Sequence, residues 1–150
     1  MVSGKSNLGV SVLLAISTIL MAQTSKPVAG KPAPATLQAS MERGKKVYTE
    51  QCLACHQADG LGVSNLNPPL VKTKWVLGEK GALIQIVLKG LNTEIEVDGD
   101  SYHNVMASHE YLTDQQIADV LTYVRNSFGN KAKAVLPGDV KSVRAKTKKS

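Results

Sequence analysis

Cysteine is almost absent: two residues in 150, which excludes a disulfide-built scaffold. Histidine is nearly as sparse at three, and neither a second Cys-x-x-Cys nor a His-x-x-x-His exists to complete a four-ligand zinc site. With one Phe, one Trp and four Tyr, the chain lacks the aromatic content of a base-stacking surface, and nothing in it points to nucleic acid. Long apolar runs are missing too. The longest, Leu8 to Ala22, is broken by Gly9, Ser11, Ser17 and Thr18 and is short for a membrane-spanning helix. Behind Lys5 it suits the apolar region of a secretory signal, with cleavage expected after Ala22 and an uncleaved N-terminal anchor as the alternative.

What little cysteine there is stands together, in Cys52-Leu53-Ala54-Cys55-His56. A Cys-x-x-Cys-His run offers two thiols one helical turn apart, suited to thioethers with haem vinyl groups, and an imidazole beside them to ligate the iron. A thioredoxin-like redox pair would need a strand before the motif and a helix after it. Here Met41 to Gln51 has helical spacing and Asp59 to Pro69 has the composition of a loop. A disulfide across so short a loop would add little stability. Covalent c-type haem, attached outside the cytoplasm, is the expected cofactor, and it agrees with an exported chain.

The net charge of +6 is unevenly distributed. From Ser40 to Gly129 eight basic residues face eleven acidic ones, whereas from Asn130 to Ser150 seven basic residues face Asp139 alone. The sequence therefore divides into a signal at 1–22, a linker rich in Pro, Ala and Lys at 23–39, a folded domain at 40–129 and a basic tail at 130–150 expected to be extended, apart from whatever Val140 and Val143 dock. The tail is expected to be a solvated end rather than a docking site for an anionic partner.

Within the domain, a first helix is expected from an N-cap at Ser40 through Gln51, with Gly44, Val47, Tyr48 and Gln51 on one face. Glycine inside a helix costs about 0.5–1 kcal/mol relative to Ala, so a close packing partner at Gly44 is expected. Asp59-Gly60-Leu61-Gly62 and Asn67-Pro68-Pro69-Leu70 then form a turn-rich loop. A proline there, with Pro69 the assigned residue, offers a carbonyl that could fix the tautomer of His56. The indole N–H of Trp75 needs a partner, for which a haem propionate is one candidate. Glu79 to Lys89 has helical spacing and stops at Gly90, and Ile95 to Tyr102 alternates around Asp98-Gly99, which predicts a hairpin. Thr113-Asp114-Gln115-Gln116 is a capping box that opens a C-terminal helix with Ile117, Val120, Leu121, Val124 and Phe128 on one face. Tyr123 is expected to meet Gly44 and Tyr48.

A low-spin haem needs a ligand on the side opposite His56. Met1 and Met21 lie in the signal and Met41 stands eleven residues before the motif, which leaves Met106, fifty residues past His56. A gap-filling core methionine is the other reading of that residue, and His103 and His109 flank it as competing ligands.

With Cys-x-x-Cys-His near the domain start, Pro-Pro-Leu after a glycine loop and a loop methionine before a C-terminal helix, the chain resembles a class I monohaem cytochrome c. Val120-Leu121-Thr122-Tyr123-Val124-Arg125-Asn126 is similar to the small cytochrome domains that accompany periplasmic dehydrogenases and copper nitrite reductases. The resemblance implies an all-α fold of about three to five helices around one haem c, with a small hairpin before the axial methionine. It implies thioethers at Cys52 and Cys55 and axial ligation by His56 and Met106. The Pro68 or Pro69 carbonyl would support His56, and Tyr102 and Trp75 would line the haem. Members of the family usually carry Pro after the axial Met, where this chain has Ala107. The implied function is that of an exported electron carrier, not an enzyme, exchanging single electrons with a dehydrogenase, a nitrite reductase or a terminal oxidase. The alternatives are a haem protein with an open or histidine-ligated sixth site, and a tethered electron-transfer subunit of a larger oxidoreductase.

Overall fold

The structure is a computed structural model, and it describes residues 36–147; the signal and most of the linker expected from the sequence lie outside the described residues. Among the described residues six helices and one hairpin follow one another: α1 (Leu37–Gln51), α2 (Leu53–His56), α3 (Lys74–Leu77), α4 (Lys80–Lys89), β1 (Ile95–Val97), β2 (Asp100–Tyr102), α5 (Asp114–Asn126) and α6 (Pro137–Thr147). The helix count exceeds the three to five expected because two are single turns and because the tail contributes one. Among the described residues no helix is long and apolar enough to cross a membrane.

Helix α1 begins earlier than its expected cap. The Thr36 hydroxyl accepts from the Ala39 N–H at 3.2 Å, while the Ser40 hydroxyl points across to Asp119 at 2.5 Å. Ser40 has therefore exchanged a local capping role for a tertiary one. Arg43 adds two bonds to the same carboxylate, at 2.7 and 2.9 Å, and Gln115 adds a fourth at 3.0 Å. Burial works to raise the pKa of Asp119, and these donors more than reverse it, holding the carboxyl below its ordinary range. A depressed carboxyl contributes stability that is present above its unfolded pKa and is lost as pH falls through the folded value. Asp119→Ala should cost about 2 kcal/mol at pH 7, the half-exposed Arg43 making the pair worth less than a fully buried one. Denaturant melts should show that difference shrinking as the pH is lowered through the acid range. An equal deficit at all pH values would rule out the ionised carboxylate as its source.

The crossing of α1 over α5 occurs at Gly44. A Cβ there would stand 2.0 Å from the Asp119 carbonyl oxygen and 2.8 Å from Tyr123 Cβ. One turn on, the rings of Tyr48, Tyr123 and Phe128 form a cluster with centroids 5.4 to 5.7 Å apart. The Tyr48 hydroxyl donates to the Gln57 carbonyl at 2.7 Å, and the Phe128 ring covers Gly60, so the cluster holds the chain just after the segment that contains the cysteines.

The capping box at Thr113 forms as expected, with Gln116 and Thr113 each bonding the other's backbone N–H. The hairpin also follows the sequence: Ile95 pairs with Tyr102 and Val97 with Asp100, and Asp98 and Gly99 take left-handed conformations (φ 52° and 97°) as a tight two-residue turn demands.

Residues 137–147 are not an extended tail but helix α6, packed against α4 and α5. Its apolar content is slight, yet Val140 is fully buried and Val143 packs on the core. Polar clasps do the rest. Lys80 pairs with Asp139 at 2.6 Å, and the Arg144 guanidinium binds Asp114 and the carbonyls of Glu110 and Leu112 at 2.7 to 2.8 Å. The Thr122 hydroxyl both donates to the Val135 carbonyl and accepts from its N–H.

Candidate haem site

Cys52 breaks the helix between α1 and α2 (φ −121°, ψ −31°), and its carbonyl accepts from the N–H groups of Cys55 and His56. The two cysteines stand one helical turn apart with no disulfide between them, Cys52 half-buried and Cys55 exposed. Burial, with the Cys55 charge adding to it, pushes the Cys52 thiol up to about 11, so it is protonated near pH 7.

His56 closes α2. Its Nδ1 lies 3.0 Å from the Pro68 carbonyl, and because a carbonyl can only accept, Nδ1 carries the proton and donates. That leaves Nε2 with its lone pair available for a metal. Burial lowers the pKa of His56 and the His109 imidazole acts in the same direction, against the opposing pull of the Pro68 bond; the net effect is a neutral ring near pH 7. The supporting carbonyl is that of Pro68, not Pro69. Register decides it: Leu70 N–H bonds the Gly60 carbonyl at 2.7 Å and Val63 pairs with Asn67, which turns Pro68 inward. Gly62 (φ 68°) makes room for it, since a Cβ there would stand 2.7 Å from the Pro68 oxygen.

Met106 is half-buried in a loop that is held tightly despite lacking a following proline. Its N–H and C=O pair with those of Leu91, both at 2.9 Å. The Ser108 hydroxyl donates to the Leu88 carbonyl and the His109 N–H to that of Val87. Gly90 (φ 74°) permits the approach, because a Cβ there would stand 2.3 Å from the Met106 oxygen. Asn104 joins this loop to the one carrying Pro68, through its N–H to the Leu66 carbonyl at 3.3 Å and its amide to Asn67 at 2.9 Å.

The other expected residues divide. Tyr102 is buried on β2. Trp75 is 38% exposed, and its indole N–H donates to the Glu96 carbonyl on the hairpin at 3.1 Å. His103 is exposed. His109 is half-buried beside Tyr111, with Nδ1 buried and without a hydrogen-bond partner. Asn104 and Asn130 went unrecognised in the sequence: each is a lone residue that bonds across 37 residues or more, to Asn67 and to Leu70 and Lys72, and no local pattern announces it.

Two cysteines on one turn and an adjacent imidazole whose Nδ1 is committed to Pro68, with Nε2 left over for iron, are what a haem c site requires of the protein, and the residues present fit that group. Helical fold and attachment motif together define a haem-binding electron-transfer protein. The cytochrome c family profile matches residues 41–128, and the chain belongs to that family. It is 38% identical over 112 residues to cytochrome c-552 of Thermus thermophilus, covering 69% of this chain and 85% of that one. It is 39% identical over 107 residues to the gluconate 2-dehydrogenase cytochrome c subunit of Pantoea cypripedii, covering 69% of this chain and 24% of that one. A Cbb3-type cytochrome c oxidase subunit of Azospirillum brasilense is 33% identical over 99 residues, 62% of this chain and 30% of that subunit. The chain thus carries a covalently bound haem c and transfers electrons, on a class I cytochrome c fold.

Proposed function

We propose that this chain is an exported one-electron carrier in which Cys52 and Cys55 form the two thioethers and His56 and Met106 fill both axial positions of the iron. Haem c supplies the chemistry, cycling between Fe(II) and Fe(III). The observation that carries the reading is the His56–Pro68 bond, which commits Nδ1 and leaves Nε2 as the ligating atom. Asn104 supports Met106 as the second ligand, since it ties the Met106 loop to the loop whose Pro68 holds His56. If His56 and Met106 both ligate the iron, no position on it would be left for a substrate, which supports a carrier over an enzyme. Tyr102 and the ring face of Trp75 line the group, and the apolar shell with a thioether ligand favours the reduced state relative to a bis-histidine site.

Export follows from the Lys5 and Leu8 to Ala22 pattern, and the location is periplasmic, or membrane-tethered if that segment is retained. The partners are redox proteins of the kinds to which the relatives belong, a dehydrogenase or a terminal oxidase, with a nitrite reductase as the further candidate. In the longer relatives the matching region is a quarter to a third of the subunit, so the same unit serves there inside a larger protein.

Visible spectra of the mature protein, oxidised and reduced, test the ligand set. A c-type reduced spectrum with the weak far-red band of an Fe(III)–thioether bond is expected. Haem attached without that band would remove Met106 and bring forward His109, whose Nδ1 is otherwise without a partner.

A further inference from the structure

Asn130 is polar, 3% exposed and remote in sequence from every residue assigned to the haem. All its amide bonds go to backbone. Nδ2 donates to the carbonyls of Leu70 at 2.8 Å and Val124 at 2.7 Å, and Oδ1 accepts from the Lys72 N–H at 2.7 Å. Two of the three thus hold the segment that follows Pro68-Pro69. That segment includes Lys72 in a left-handed conformation (φ 55°), which a non-glycine residue keeps only when its surroundings impose it.

Between Leu70 and the carbonyl that meets His56 stands a single residue, Pro69. Its ring fixes its own φ near −65°, and as a proline it also confines Pro68 to extended geometry. A rigid dipeptide passes on the position of its end. With Leu70 held on one side by Asn130 and on the other by the Gly60 carbonyl, the Pro68 oxygen has little freedom to turn away from Nδ1.

We infer that Asn130 is a positioning residue for the axial histidine: by fixing Leu70 and Lys72 it aims the Pro68 carbonyl at the His56 Nδ1–H. The inference rests on His56 being the haem ligand. A hydrogen bond from Nδ1–H makes Nε2 a stronger donor, which stabilises Fe(III) and lowers the potential. Loosening that bond raises it.

The test compares Asn130→Leu, of similar size without hydrogen bonds, with Thr122→Val, which releases Val135 in the same C-terminal region without touching the Pro68 segment. Both variants should melt at lower denaturant than wild type. Only Asn130→Leu should also raise the reduction potential and speed solvent exchange of the His56 Nδ1–H in proton NMR of the reduced protein. Equal destabilisation of the two, with potential and exchange at wild-type values in Asn130→Leu, would overturn the inference. Should Asn130→Leu fail to mature, Pro69→Ala breaks the same linkage with Asn130 in place: a raised potential supports the inference and an unchanged one overturns it. The underlying ligand assignment is judged separately in the wild-type oxidised protein. Hyperfine-shifted His56 imidazole resonances support it, and their absence overturns both.

Discussion

Gly44→Val will cost about 3 kcal/mol or more, the upper end for a forced overpacking and a large part of the roughly 5–15 kcal/mol that holds a domain together. A Cβ at this position would stand 2.0 Å from a backbone oxygen of α5 and 2.8 Å from Tyr123 Cβ, so no rotamer change relieves it. The two helices must separate. Separation loosens the Tyr48–Tyr123–Phe128 cluster and, through the Tyr48–Gln57 bond, the far end of α2. The gain in helix propensity over glycine, below about 1 kcal/mol, is too small to offset that. Guanidinium unfolding of the mature protein measures the loss, and a drop in haem-loaded yield should accompany it. A valine variant within about 1 kcal/mol of wild type would mean that the crossing at Gly44 is not tight in solution.

Met106→Ala should keep covalent haem, because Cys52, Cys55 and His56 are untouched, while the potential falls by a sizeable part of the ~0.8 V range that axial ligands span. Three observations confine the change to the iron. The Leu91 pairing uses only the backbone of residue 106, Ser108 and His109 hold the loop from beyond it, and Asn104 holds it from before. The far-red band should vanish and the reduced variant should bind carbon monoxide rapidly. Redox titration decides: a potential equal to wild type removes Met106 from the ligand set.

The chemistry of this chain was legible where a few adjacent residues determine it. Cys52 to His56 state the cofactor, Asp98-Gly99 states the hairpin, and Thr113 to Gln116 state the start of α5, each within a span of eight residues or fewer. Gly44 was readable one step further out, since a glycine in a helix asks for a crossing partner and Tyr123 supplied it. What escaped was set by distance. Helix α6 has too few apolar residues to show a face, and it is held by Arg144 reaching Asp114 and by Lys80 reaching Asp139, pairings separated by 30 and 59 residues. The choice of Pro68 over Pro69 depended on a bond from Leu70 to Gly60 that no dipeptide rule contains. Ser40 looked like a cap because serine favours that role, and lost it to Asp119, 79 residues away.

The pinning of the Met106 loop has a kinetic meaning as well. An electron moves between proteins most readily when the atoms around the donor need not rearrange afterwards, because every displacement adds to the activation barrier. On the proposed ligand set, backbone paired at Met106 in both directions, a hydroxyl clamp at Ser108 and a proton of His56 committed to Pro68 would leave the two ligating residues little room to shift as the charge of the iron changes. Stiffness of that kind would keep the reorganisation energy low, and the hydrogen bonds supply it with Ala107, not a proline, after Met106.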